Sequence, residues 1–98
     1  MSLTSPGSVA FHHALAKSLA HVRISGATSQ GTLAAELGID QATVSRVESG
    51  QRRLTAGETF AWLEALGMNA GEAAKLQADL WREFGTRPPG FWRDALND

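Results

Sequence analysis

What most constrains this chain is the run SQGTLAAELGIDQATVSRVESG at residues 29–50. Leu33, Ala34 and Leu37 stand at i, i+1 and i+4, the spacing of one apolar helix face. Gly38 follows at once, and a sharp turn after a helix favours a residue that tolerates positive φ. Ile39 is predicted to point inward after the turn, and Asp40 to cap a second helix by accepting from its free amides. Val44 and Val47, three apart, are predicted to bury one side of that helix. Gln41, Ala42, Ser45, Arg46 and Ser49 are left on the other side. Two short helices joined by a tight turn, the second with a small and polar free face, have the geometry that a DNA major groove admits.

The surrounding chain reads as helix throughout. A first helix over residues 8–24 would bury Phe11, Leu15, Leu19 and Val22 as one stripe, and residues 25–28 (Ser-Gly-Ala-Thr) break it. Ser29 can cap the second helix, and the third spans residues 41–49. A fourth starts with a capping box, Thr55-x-x-Glu58, and presents Phe60, Leu63 and Leu66 to the core. A second box, Asn69-x-x-Glu72, opens a fifth helix that runs to Phe84 with Ala73, Leu76, Leu80 and Phe84 in register. Gly38, Gly50, Gly67 and Gly85 each fall one residue past an apolar-periodic segment, where helices end. No alternating pattern competes for a strand.

At the ends the signals change. Residues 1–7 are small, polar and contain proline and glycine, and are expected to be a disordered leader before a domain over residues 8–85. Arg87-Pro88-Pro89-Gly90 cannot be helical, yet Phe91, Trp92 and Leu96 beyond it are too apolar for a solvated end. Residues 86–98 therefore form a tail or sixth helix that packs on the fifth helix or on a second subunit. Trp62 and Trp81 sit beside their apolar stripes, at flank positions. Together with Phe91 and Trp92 they either enlarge the core or compose a dimer surface.

Composition excludes several classes. Apolar content of 43% argues against a disordered chain, and the absence of cysteine excludes a disulfide framework and thiolate metal sites. No apolar run is long enough for a membrane span and no signal peptide is visible, so a cytoplasmic location without membrane association is expected. His12 and His13 diverge on a helix and His21 is two turns away, with no carboxylate at metal-ligand spacing. There is no phosphate-binding glycine loop, no cysteine nucleophile and no serine–histidine–acid setting. No catalytic residue, metal or cofactor is assigned, and the chain is expected not to be an enzyme. The net charge of −1 lacks the basic excess of many nucleic-acid binders. From residue 41 to 55, however, Arg46, Arg52 and Arg53 face only Glu48, and it is the charges that reach phosphates that release counterions.

Residues 29–50 resemble the helix-turn-helix of the phage repressor/Cro (XRE) family of transcription regulators. The family pattern is met by Gln30, Leu33-Ala34, Leu37-Gly38, the polar run from Gln41 to Val47, and Glu48-Ser49-Gly50. The likeness extends from about Leu15 through Gly67 and leaves residues 68–98 outside it. It implies an all-α, five-helix, lambda-repressor-like DNA-binding domain. It also implies a buried ion pair between Arg23, seven residues before Gln30, and Glu48. Gln41, Ala42, Ser45 and Arg46 are then candidates for base contacts, with Gln41 suited to adenine and Arg46 to guanine or, alternatively, to a phosphate. Ala42 departs from the larger polar residue common in the family and either touches a thymine methyl or leaves its base unread. Gln30, Thr43, Arg52 and Arg53 are candidates for phosphate contacts. The implied partner is double-stranded DNA with a near-palindromic operator, bound by a homodimer acting as a repressor. Two other readings stay open: an antitoxin that also binds a toxin, and a helical module that binds protein only.

Overall fold

A computed structural model describes residues 6–85, which form five helices: α1 (Pro6–Ser25), α2 (Gln30–Leu37), α3 (Gln41–Glu48), α4 (Ala56–Ala65) and α5 (Ala70–Phe84). No strand occurs among the described residues, so this part of the chain is all-α. None of these helices is long and apolar enough to cross a membrane. Residues 86–98, including Phe91 and Trp92, lie outside the described residues, as do residues 1–5. α1 begins at Pro6, inside the leader expected over residues 1–7. Proline suits a first helical position, where its missing N–H removes no helical hydrogen bond and its φ is preset.

Local chemistry accounts for the short helices. Ser29 Oγ accepts from Thr32 N at 3.0 Å and Asp40 Oδ1 from Thr43 N at 2.8 Å, satisfying amides that the first turn leaves free. Both expected capping boxes form, Thr55 with Glu58 and Asn69 with Glu72. At the other end of α2, Gly38 adopts φ 71°, while Ile39 N and Gly38 N donate back to Ala34 O and Ala35 O. That paired closure needs a left-handed residue, which glycine supplies without a β-carbon clash. The same closure follows α3 and α4, at Gly50 and Gly67.

Two helix ends depart from that pattern. After α1 the left-handed residue is Ala27, with φ 57°, rather than Gly26. Thr28 N donates to Arg23 O and Ala27 N to Ile24 O, and the turn is held further by Arg23 Nη1 donating to Thr28 O at 2.9 Å. Gly85, in contrast, is extended (φ −76°, ψ 139°) and makes no left-handed turn. Its glycine is needed for another reason: a β-carbon there would collide with the Trp81 ring.

The core draws on every helix: Leu15 and Leu19 of α1, Leu33 of α2, Val44 and Val47 of α3, Trp62 and Leu63 of α4, Ala73 and Leu80 of α5. α1 packs on α5 and α3, α2 on α3 and α4, and α4 on α5. Three apolar positions depart from the sequence reading. Ile39 is exposed, because the closure at Gly38 directs its amide back to α2 and leaves its side chain on the surface. Phe84, expected in the core register, is also exposed. Trp62 is only 3% exposed, so it is a core residue and not part of a subunit surface. The buried face of α4 is Thr59, Trp62 and Leu63, an i, i+3, i+4 row, while Phe60 and Leu66 are half-buried. Thr59 escapes notice in the sequence because it is polar. Its hydroxyl donates to Thr55 O at 2.9 Å, which makes burial tolerable.

Candidate nucleic-acid interface

The two sides of α3 are sharply divided. Val44 and Val47 are buried, whereas Gln41, Ala42, Ser45, Arg46 and Ser49 are all exposed on one continuous face. The division follows from the helical period acting on a segment with apolar residues at only two positions. At its N-terminus, Asp40 Oδ1 accepts from the Thr43 amide and, at 2.6 Å, from the Thr43 hydroxyl. Arg46 Nη2 in turn donates to Thr43 Oγ1 at 3.1 Å. The hydrogen bonds from Thr43, aided by the Arg46 charge, hold the Asp40 carboxyl below the usual carboxylate range. Thr43, expected at a phosphate, thus braces Arg46 in the unbound protein.

α3 is locked at its other end. Arg23 Nε donates to Glu48 Oε2 at 2.6 Å and Arg23 Nη2 to Glu48 Oε1 at 2.9 Å, a two-point contact between side chains that are 12% and 7% exposed. Gln30 Nε2 adds a bond to Glu48 Oε1 at 2.9 Å, and Gln41 Nε2 reaches Gln30 Oε1 at 3.5 Å. One polar chain therefore joins the end of α1, the start of α2 and both ends of α3. Burial pushes the Glu48 carboxyl up, but the hydrogen bonds from Arg23 and Gln30, with the Arg23 charge, outweigh it and leave it lowered. The bond to Glu48 likewise raises Arg23 against its desolvation. The pair implied by the family resemblance is formed. Gln30, a candidate phosphate ligand, is half-buried and engaged at both ends of its amide.

The loop after α3 carries the remaining cations. Arg52 Nη2 lies 3.4 Å from Glu58 Oε2, with both side chains 44% exposed, while Glu58 Oε1 accepts from Thr55 N. Glu58 thereby offsets part of the local positive charge. The Thr55 backbone bond, followed by Arg52, keeps its carboxyl lowered. Arg53 is exposed and lies near enough to His12 of α1 for its charge to add to burial in lowering that imidazole. His12 is half-buried. Its spacing to Ala16 and Leu19 continues their buried row, and that periodicity is the signal in the sequence for its half-burial. Of the proposed subunit-surface residues, Trp81 is half-buried, with its ring edge-on to Phe11 at a centroid distance of 5.3 Å.

The arrangement is a rigid helix with a free polar face, flanked by arginines, on a five-helix core. Residues 19–72 match the helix-turn-helix family. No curated protein and no solved structure matches the chain. The matched span takes in α2, the turn and α3, together with the Arg23–Glu48 pair that holds them. The chain belongs to the XRE/Cro-type helix-turn-helix family, a family of DNA-binding regulators and not of enzymes.

Proposed function

We propose that the protein is a sequence-specific repressor that binds a near-palindromic operator as a homodimer, each subunit placing α3 in a major groove. The observation that carries this reading is the exposed face of α3, free of its own protein and held at both ends. Gln41, Ala42, Ser45 and Arg46 meet base edges in this reading, with Arg46 turning from Thr43 to a guanine. The released Thr43 hydroxyl, Gln30, Arg52 and Arg53 then meet phosphates and set the register. Trp81, half-buried against Phe11, lies at the subunit contact in this reading. A cytoplasmic location accompanies this role.

Selection of bound duplexes from a random pool tests the proposal directly. A two-fold symmetric consensus is expected, with half-sites about 34–36 Å apart. Arg46→Ala should relax preference at one base position per half-site, with a loss of about 1–3 kcal/mol on the preferred sequence. Arg53→Ala should weaken all sequences nearly equally and flatten the salt dependence by about one ion. A pool that emerges without consensus would remove direct readout from the assignment.

A further inference from the structure

The loop after α3 folds back beside the N-terminal half of α1 and leaves a cleft of about 150 Å3 between them. A single water needs only about 10–15 Å3 of such space, so a tetrahedral oxyanion fits with part of its hydration. The polar lining comprises His12, His13, Ser49, Arg52 and Arg53, over an apolar floor from α1 and α3. No carboxylate is among the described residues that line it. Ser49 belongs both to this cleft and to the free face of α3, so the cleft opens beside the surface assigned to DNA. His12 is fixed there by its edge-on contact with Phe11, at 5.3 Å between ring centroids. Burial and then the Arg53 charge hold its imidazole below the ordinary value. An anion seated between His12 and Arg53 relieves their mutual repulsion and favours the imidazolium form.

We propose that this cleft is a phosphate seat, in which His12 of α1 joins Arg53 and the Ser49 hydroxyl, turned from its bond to Arg46 O, around one phosphate group of the bound duplex. The proposal rests on the DNA-binding reading and adds to it a contact from α1 that couples affinity to pH. Free inorganic phosphate shares the chemistry and is the alternative source. Among the described residues, the charged or titratable groups that line the cleft with His12 are Arg52 and Arg53 from the loop and His13 from its own helix, while α5 meets this part of α1 through Trp81. Seating the phosphate takes up a proton at His12, so binding strengthens as the pH falls.

The test uses the full chain and a duplex recovered by selection, with affinity measured against salt at about pH 8 and about pH 5.5. The slope of log K against log salt should steepen by about 0.9 at the lower pH, the increment for one more neutralised phosphate. His12→Gln should abolish that steepening. His21→Gln should keep it, since His21 faces Ser25 and not the cleft. Equal steepening in His12→Gln and the parent would overturn the proposal. As a readout on the unaltered chain, the His12 imidazole resonance is titrated with duplex, with inorganic phosphate and with chloride at matched ionic strength. A raised His12 pKa with duplex supports the seat. A rise with inorganic phosphate but none with duplex overturns the assignment to DNA in favour of a free anion. If no duplex binds at all, the DNA-binding reading itself fails, and the absence of any rise with phosphate then removes the cleft as a site.

Discussion

Glu48 accepts three hydrogen bonds, two from Arg23 and one from Gln30, in a setting where its side chain is 7% exposed. Replacing such a pair with apolar residues need not destabilise, but removing one partner strands the other charge at about 3–5 kcal/mol. That is a large share of the roughly 5–15 kcal/mol that small domains possess. Glu48→Ala should therefore lower Tm by more than about 12 °C in thermal denaturation, at about 4–8 °C per kcal/mol. An unchanged Tm would mean that the pair does not form in solution. The lowered carboxyl also sets a pH dependence. Folding keeps Glu48 ionised below its ordinary value near 4.5, so its contribution is complete above that value and is lost as the pH falls through the folded-state value. Glu48→Gln should flatten the acid limb of the stability curve, measured by urea unfolding between about pH 3 and pH 6.

At the scale of elements, the helices are short and depend on their ends. Helices of about 8 residues have little stability of their own, so capping and tertiary contacts must make up the difference. Asp40→Ala removes the cap of α3 and should cost about 1 kcal/mol in chemical denaturation, together with the brace through Thr43 to Arg46. Ala27 carries the opposite opportunity. Its left-handed backbone costs an alanine about 1–2 kcal/mol, and glycine gives part of that back as greater freedom in the unfolded chain. Ala27→Gly should accordingly raise stability by about 0.5–1 kcal/mol, and a loss of stability on calorimetry would show that the turn is not left-handed. The starts of α2 to α5 were legible in sequence because caps are local chemistry: Ser29, Asp40, Thr55 and Asn69 all act as read. Gly85 was misread. Its position after a periodic segment resembles the other helix ends, but the requirement comes from the Trp81 ring and not from φ.

For the whole molecule, a net charge of −1 places a limit on non-specific affinity, and the Arg52–Glu58 contact reduces the loop's field further. Exposed pairs of this kind contribute about 0–1 kcal/mol, so Arg52 can exchange Glu58 for a phosphate at small cost. A few phosphate contacts per subunit give modest affinity, which makes the proposed dimer important for operator binding. The apolar surface put forward for it lies at the C-terminal end of α5, where Phe84 is 38% exposed, one turn beyond the Trp81 ring that meets Phe11 of α1. Phe84→Glu should shift sedimentation toward the monomer and weaken duplex binding without lowering Tm by more than a few degrees. A dimer constant equal to that of the parent would exclude this end of the molecule.

The order and class of the helices, their caps, the turn at Gly38 and the polar face of α3 all follow from neighbours within about four positions, which is the range over which capping and helical periodicity act. Arg23 and Glu48 were also identifiable, through a spacing that the family shares. What only packing decided is how each helix rotates about its axis and which loop meets which helix. Trp62 enters the core because the rotation of α4 is set by α2 and α5, partners far along the chain. Glu58 approaches Arg52, and Arg53 approaches His12, for the same reason. Contacts between elements depend on the sum of many weak burial terms, and no local pattern encodes that sum.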